Sequence, residues 1–247
     1  MWRIGEDPME RRKLREIRRG KMNSILELLP ETNSSLLRIL EPVTLTTGSV
    51  LLEPDQKIEH VYFLVTALVS IVCTNSEGDS VEIGLIGREG MVGLPVFLGG
   101  VTPYRAVVQM SGDAFRADAK KLREEFRKNP RLRELLLKYT NAFIVQISQS
   151  SICNCYHTLQ ERLSRWLLVA RDATKSDRLA LTHDVIAHML GTRRASVTVA
   201  AGLLQRAGLI KYGRGRITIV DPAGLEATSC ECYGILRERY LQLLPLA

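Results

Sequence analysis

The residues best equipped for chemistry lie in one stretch near the C-terminus, where residues 182–207 read THDVIAHMLGTRRASVTVAAGLLQRA. Arg193, Arg194, Ser196 and Thr198 gather guanidinium and hydroxyl groups around the start of a helix. There an arginine fork can grip guanine O6 and N7, hydroxyls can reach bases or phosphates, and the helix dipole favours phosphate. Thr182 suits the cap of a preceding helix and Thr192 the cap of this one. Gly191 supplies the left-handed backbone of a tight turn, and Ala187 the small side chain that a close helix crossing needs. Val197, Ala201 and Leu204 recur at helical spacing and should face a core. The pattern is a helix-turn-helix whose second helix enters the major groove. GLIKYGRGRITIV follows directly and reads as strand, Gly213-Arg214-Gly215 turn and strand, a wing. Arg214 at its tip, flanked by Lys211 and Arg216, suits a backbone phosphate, which fixes register without reading sequence.

Five cysteines, Cys73, Cys153, Cys155, Cys230 and Cys232, are too few and odd in number for a disulfide framework, which points to a reducing cytoplasm. Four of them form two Cys-x-Cys pairs, with His157 near the first. If the pairs met in space they could build a zinc or redox site. Cys-x-Cys grips a single ion less readily than Cys-x-x-Cys, so small buried or idle cysteines are the favoured reading, with no metal and no cofactor expected. His60, His157, His183 and His188 have no evident catalytic neighbours, and there is no nucleophile–base pair, HExxH or P-loop. The chain is not expected to be an enzyme.

These groups need a scaffold, and 247 residues allow a regulatory domain and a smaller second one. A hydrophobic share of 45% with 25% charged residues argues against wholesale disorder, and no apolar run is long enough to span a membrane. The net charge of +7 is unevenly spread: +4 over residues 1–21, −2 over 22–157 and +5 over 158–247. The last segment is therefore the better candidate for phosphate contact. Residues 1–21 read as a basic, disordered arm. From 22 to 129, short β-rich runs (VTLTT, HVYFLV, LVSIVCT, SVEIGLI, RAVVQM) alternate with turn residues, predicting an antiparallel, jelly-roll-like β-roll within an α+β chain. Residues 130–157 read as a long helix and a hinge, the hinge running from Ser148 to His157. Leu132, Leu136, Tyr139 and Phe143 form an apolar stripe along it that suits either a dimer seam or packing on the chain's own roll. Residues 158–247 then form a winged helix-turn-helix domain with a C-terminal extension, opened by a helix that Thr158 and Glu161 can cap.

A roll, a long helix, then T-x-x-x-I-A-x-x-L-G-x-x-R-x-x-V and a wing together resemble the Crp/Fnr family of transcription regulators over about residues 22–225. The resemblance implies a cyclic-nucleotide-binding-like roll, a homodimer held by the long helix, double-stranded DNA as partner, and RNA polymerase as a second one. It also maps an effector pocket onto Gly93, Leu94, Arg105, Ala106, Ile147 and Ser148. There the chain departs from the nucleotide-binding pattern. Leu94 replaces the glutamate that holds the ribose, at a cost of about 1–3 kcal/mol for an unpaired hydroxyl. Ile147 replaces a base-contacting threonine, and Pro54 and Ala67 replace roll glycines. Only Arg105 is left to hold a phosphate, so cyclic AMP is not the expected effector. The N-terminal region lacks the cysteines an Fnr-type iron–sulfur cluster needs. Ala195 and Val199 replace the family's Glu and Arg on the recognition helix, which implies a different operator. Two other readings remain: a ligand-sensing signalling protein whose C-terminal domain mainly binds protein, and a thiol- or metal-responsive regulator using the Cys-x-Cys pairs.

Overall fold

The computed structural model describes residues 22–30 and 34–243; the basic segment 1–21 lies outside them. Two short helices, α1 (Ser24–Glu27) and α2 (Ser34–Ile39), precede eight strands: β1 (Glu41–Leu45), β2 (Val50–Leu52), β3 (His60–Leu64), β4 (Leu68–Thr74), β5 (Ser80–Ile86), β6 (Met91–Val92), β7 (Arg105–Met110) and β8 (Gly112–Asp118). They form two four-stranded antiparallel sheets, ordered β1-β8-β3-β6 and β2-β7-β4-β5, which face each other as a roll. Val61, Phe63, Val69 and Ile71 are fully buried between them. The β4–β5 hairpin is closed by Asn75, whose Oδ1 accepts from the backbone N–H of Glu77 and Asp79, while Gly78 takes φ +91°. An Asx-type turn of this kind suits residues that tolerate backbone competition by their own side chains.

After α3 (Ala119–Lys128), Asn129 and Pro130 start the long helix α4, Pro130–Tyr156. The Asn129 side chain accepts from the Leu132 N–H, and Pro130 sits where a helix has no use for its missing donor. The helix runs unbroken through the polar stretch 148–156 that sequence suggested as hinge, because no residue there opposes helical backbone. The break comes at His157 and Thr158. Leu132, Leu136, Tyr139 and Phe143 are buried against the roll of their own chain, the second of the two readings their spacing allowed. Tyr139 donates to the Met91 carbonyl at 3.2 Å, and a Cβ on Gly84 would lie 2.6 Å from the Phe143 ring. The alternation of apolar residues could not say which body the stripe would meet; the roll was already there. Buried Gln146 pins the helix by a two-way bond to Leu85, its Oε1 accepting from the backbone N–H at 3.2 Å and its Nε2 donating to the carbonyl at 3.1 Å.

The C-terminal domain comprises α5 (Leu159–Thr174), β9 (Arg178–Leu179), α6 (His183–Met189), α7 (Arg194–Arg206), β10 (Ile210–Gly213), β11 (Arg216–Ile219), α8 (Pro222–Thr228) and α9 (Cys232–Leu243). Thr158 and Glu161 close a capping box at the start of α5. The domain shares a core with the roll: Leu68, Val72 and Leu85 pack with Leu163, Trp166 and Ile186. At its centre Glu82, buried on β5, accepts from Ser70 and, at 2.7 Å, from the Trp166 indole. Burial pushes the Glu82 carboxyl up to about 7, against the opposing pull of those two hydrogen bonds and the Arg165 charge.

A carboxyl raised in this way holds its proton more tightly in the folded chain. Its contribution to stability is complete below the ordinary value of 4.5 and is lost as pH rises through about 7. Between about pH 5 and about pH 8 the wild type should therefore lose roughly 2–3 kcal/mol relative to Glu82→Gln, which keeps the acceptor for Trp166 without the charge. Denaturant melts across that range measure it, and parallel profiles would contradict the assignment.

Candidate nucleic-acid interface

The helix-turn-helix is built from the turn outward. Thr182 caps α6, its hydroxyl accepting from the Val185 N–H at 3.3 Å, and Gly191 takes φ +59°. The cap of α7 is Arg193 and not Thr192, and it makes no side-chain cap hydrogen bond. The Thr192 N–H instead donates to the Ala187 carbonyl at 2.9 Å, so Thr192 belongs to the turn and α7 starts one residue later than a threonine cap would place it. Val197, Ala201 and Leu204 are buried against α5 and α6, so α7 can turn only its other face outward. That face carries Arg193, Arg194 and Thr198, all exposed, with Ser196 half-buried beside them. Arg194 is held loosely by Asp184 at 3.5 Å, both side chains being about two-thirds exposed. A pair so exposed contributes little to stability and yields readily to a phosphate.

Thr198 is not free. Its hydroxyl donates to the Arg194 carbonyl at 3.1 Å and lies 3.0 Å from His183 Nδ1. His183 in turn stacks on Tyr212 of the wing, ring centroids 3.8 Å apart. One buried imidazole thus joins both helices to the wing, and burial, with the nearby Arg194 charge, lowers its pKa so that it stays neutral. Sequence reading gave His183 no partner because they lie 15 and 29 residues away.

The wing is a two-residue hairpin in which Gly213 pairs Arg216, and Arg214 and Gly215 take φ +50° and +73°. Positive φ at both central residues matches strand twist, and it projects Arg214 from the tip. Lys211, Arg214 and Arg216 are exposed and, like Arg193, have no ion pair among the described residues. The site therefore presents unneutralised cations on a recognition helix and a wing joined rigidly through His183.

The residues mapped as an effector pocket are scattered in role. Gly93, at φ +111°, turns the chain into a short 3-10 helix in which Leu94 is buried in the roll core. Arg105 is ion-paired to Glu53 at 2.8 Å, Ala106 is buried, Ile147 packs on the roll, and exposed Ser148 bonds back to the Ile144 carbonyl. The cysteines do meet, but in a different combination from the two pairs: Cys153, Cys230 and Cys232 converge with His157, while Cys155 is exposed. The i, i+4 spacing of Cys153 and His157 on one helix was the available signal.

Comparison with known proteins adds two family matches: a "Crp-like helix-turn-helix domain" over residues 161–228 and a "Cyclic nucleotide-binding domain" over residues 42–129. The chain is 25% identical over 214 residues to the Global nitrogen regulator of Synechococcus elongatus, covering 82% of this chain and 96% of that protein. In structure it is similar to FixK2 from Bradyrhizobium japonicum, with TM-score 0.67, 17% identity, and coverage of 78% and 98% of the two chains. A transcriptional regulator of the CRP/FNR family from Thermus thermophilus superposes with TM-score 0.62, 23% identity, and coverage of 76% and 98%.

Replacing Arg214 with alanine keeps a Cβ at the same left-handed position and removes only the cation. Affinity for any duplex should fall about equally, and the slope of log affinity against log salt should become shallower by about one. A loss confined to one sequence would contradict a phosphate role.

Proposed function

This chain belongs to the Crp/Fnr family of transcription regulators, and we propose that it binds double-stranded DNA sequence-specifically as a homodimer. The observation that carries the reading is the outward face of α7, where Arg193 and Arg194 stand exposed beside the wing cation Arg214 over a face closed by buried Val197, Ala201 and Leu204. The α7 N-terminus enters the major groove, Arg194 and Ser196 reach base edges or flanking phosphates, and Lys211, Arg214 and Arg216 hold the backbone. With Ala195 and exposed Val199 on the same face, an apolar contact such as a thymine methyl group is favoured there.

The second copy docks on α4, along the side that its own roll leaves open. Leu137, Ile144 and Ile152 are 51%, 56% and 45% exposed, and with Asn141, Ser148 and Cys155 they step 4-3-4-4-3 down one face of the helix. That near-heptad stripe, with one extra residue before Ile152, suits the seam of a parallel helix pair. The inner stripe of Leu132, Leu136, Tyr139 and Phe143 is unavailable to it.

The pocket suits cyclic AMP poorly: Leu94 offers a ribose no acceptor, and Arg105 is engaged by Glu53 in a half-exposed pair that a phosphate would have to displace. Contact with RNA polymerase is supported by family membership alone. Among the described residues no helix is long and apolar enough to cross a membrane. The need to meet DNA and the five free cysteines support a cytoplasmic regulator that binds rather than catalyses.

A Leu137→Asp/Ile144→Asp double variant tests the dimer without touching the core. Sedimentation should find a folded monomer, with affinity for a wild-type-selected duplex reduced on the order of a hundredfold through lost bivalency. A variant that stays dimeric would place the seam elsewhere.

A further inference from the structure

The cluster at the junction of the two domains belongs to no part of that reading. Cys153 lies on the last turn of α4 and His157, four residues on, is the helix's C-cap, its backbone N–H donating to the Cys153 carbonyl, so the two come together at the helix end. Cys155, two residues from Cys153, points to roughly the opposite side of the helix and is exposed. Cys230 and Cys232 flank the start of α9, where the chain turns back onto α4. The four ligand atoms, three Sγ and one imidazole nitrogen, all lie within 4.8 Å of one another. Cys153 Sγ is 3.6 Å from Cys230 Sγ, and Cys232 Sγ is 3.7 Å from His157 Nδ1. The first separation is too long for a disulfide. With zinc–sulfur bonds of about 2.3 Å and zinc–nitrogen bonds of about 2.0–2.1 Å, tetrahedral edges come to about 3.8 Å for S···S and about 3.6 Å for S···N.

We propose that Cys153, His157, Cys230 and Cys232 form a closed, tetrahedral zinc site that fastens the C-terminal helix to the hinge between the sensory and DNA-binding domains.

The surroundings fit that ion. All three thiols are buried, which leaves no open position and marks a structural site. His157 turns Nδ1 toward the sulfurs and its other nitrogen, Nε2, toward Glu231 at 3.3 Å, the carboxylate–imidazole arrangement that orients a metal-bound histidine. Three thiolates around a divalent ion leave one negative charge. Arg165, buried and with no hydrogen-bond partner at Nε, lies close enough to Cys153 to act on that charge. Four ligand atoms this close enclose one ion; a multi-iron cluster would have to hold them further apart. The site ties together segments 73 or more residues apart in the chain, and His157 is also the residue at which α4 ends and α5 is about to begin.

The test is elemental analysis of the full-length protein, purified under reducing conditions without chelator, followed by cobalt exchange. The expected result is about one zinc per chain, and on exchange the intense thiolate-to-cobalt absorption and visible bands of a tetrahedral site. Cys153→Ser and Cys232→Ser should lose the ion, and Cys155→Ser should keep it. Should the first two fail to fold, alkylation of the wild type decides instead: Cys155 reacts while Cys153, Cys230 and Cys232 are protected until a chelator is added. Trace metal with no cobalt spectrum, iron with sulfide in place of zinc, or equal alkylation with and without chelator would each overturn the proposal. None of these readouts uses DNA, so a failed metal site and a failed DNA-binding assignment are told apart.

Discussion

One helix has to satisfy two bodies at once, and the architecture follows from how α4 divides its surface. Its inner stripe closes the open side of the roll through Leu132, Leu136, Tyr139 and Phe143, with Gln146 locking the register against Leu85. Burying four large side chains at roughly 1.5–3 kcal/mol each leaves little freedom for the helix to rotate on the roll. Its outer stripe is therefore fixed in direction, and Leu137, Ile144 and Ile152 are held along a line where a second copy can meet them. The same rigid rod carries the C-terminal domain at its far end, so the spacing of two recognition helices in a dimer is set by the helix and the hinge.

Strand β5 is the second link. It receives Gln146 from α4 at Leu85, offers Glu82 to Trp166 of α5, and lies under the helix-turn-helix, where a Cβ on Gly191 would come within 3.3 Å of Val81. A change in the roll that shifted β5 would thus reach the recognition helix through packed side chains and one buried hydrogen bond.

Periodicity and turn chemistry carried most of this in the sequence. The strand runs and their Gly- and Asn-rich turns announce the roll, and Thr158-Glu161, Thr182, Gly191 and the GRG turn mark the ends of the C-terminal elements because each is a local device. What stayed illegible is non-local. The stripe on α4 read equally well as seam or core, since spacing gives a face but not its partner. His183 to Thr198 and Tyr212, Gln146 to Leu85 and Glu82 to Trp166 are contacts that only the folded chain creates. The cysteine cluster is non-local in the same way. Nearness in sequence puts Cys155 with Cys153, whereas the fold brings Cys153 together with His157, Cys230 and Cys232. Helices α8 and α9, which bring Cys230 and Cys232 back to α4, left no strong pattern in a short extension.

Two copies joined along α4, as proposed, present two recognition helices to one duplex. Selection of bound sequences from a random DNA pool, read out by sequencing, tests it most directly. The account predicts a twofold-symmetric motif with half-sites centred about 10 base pairs, or one helical turn, apart, and the strongest enrichment under the α7 N-terminus. An enriched motif without symmetry, or a pool left unenriched, would contradict it.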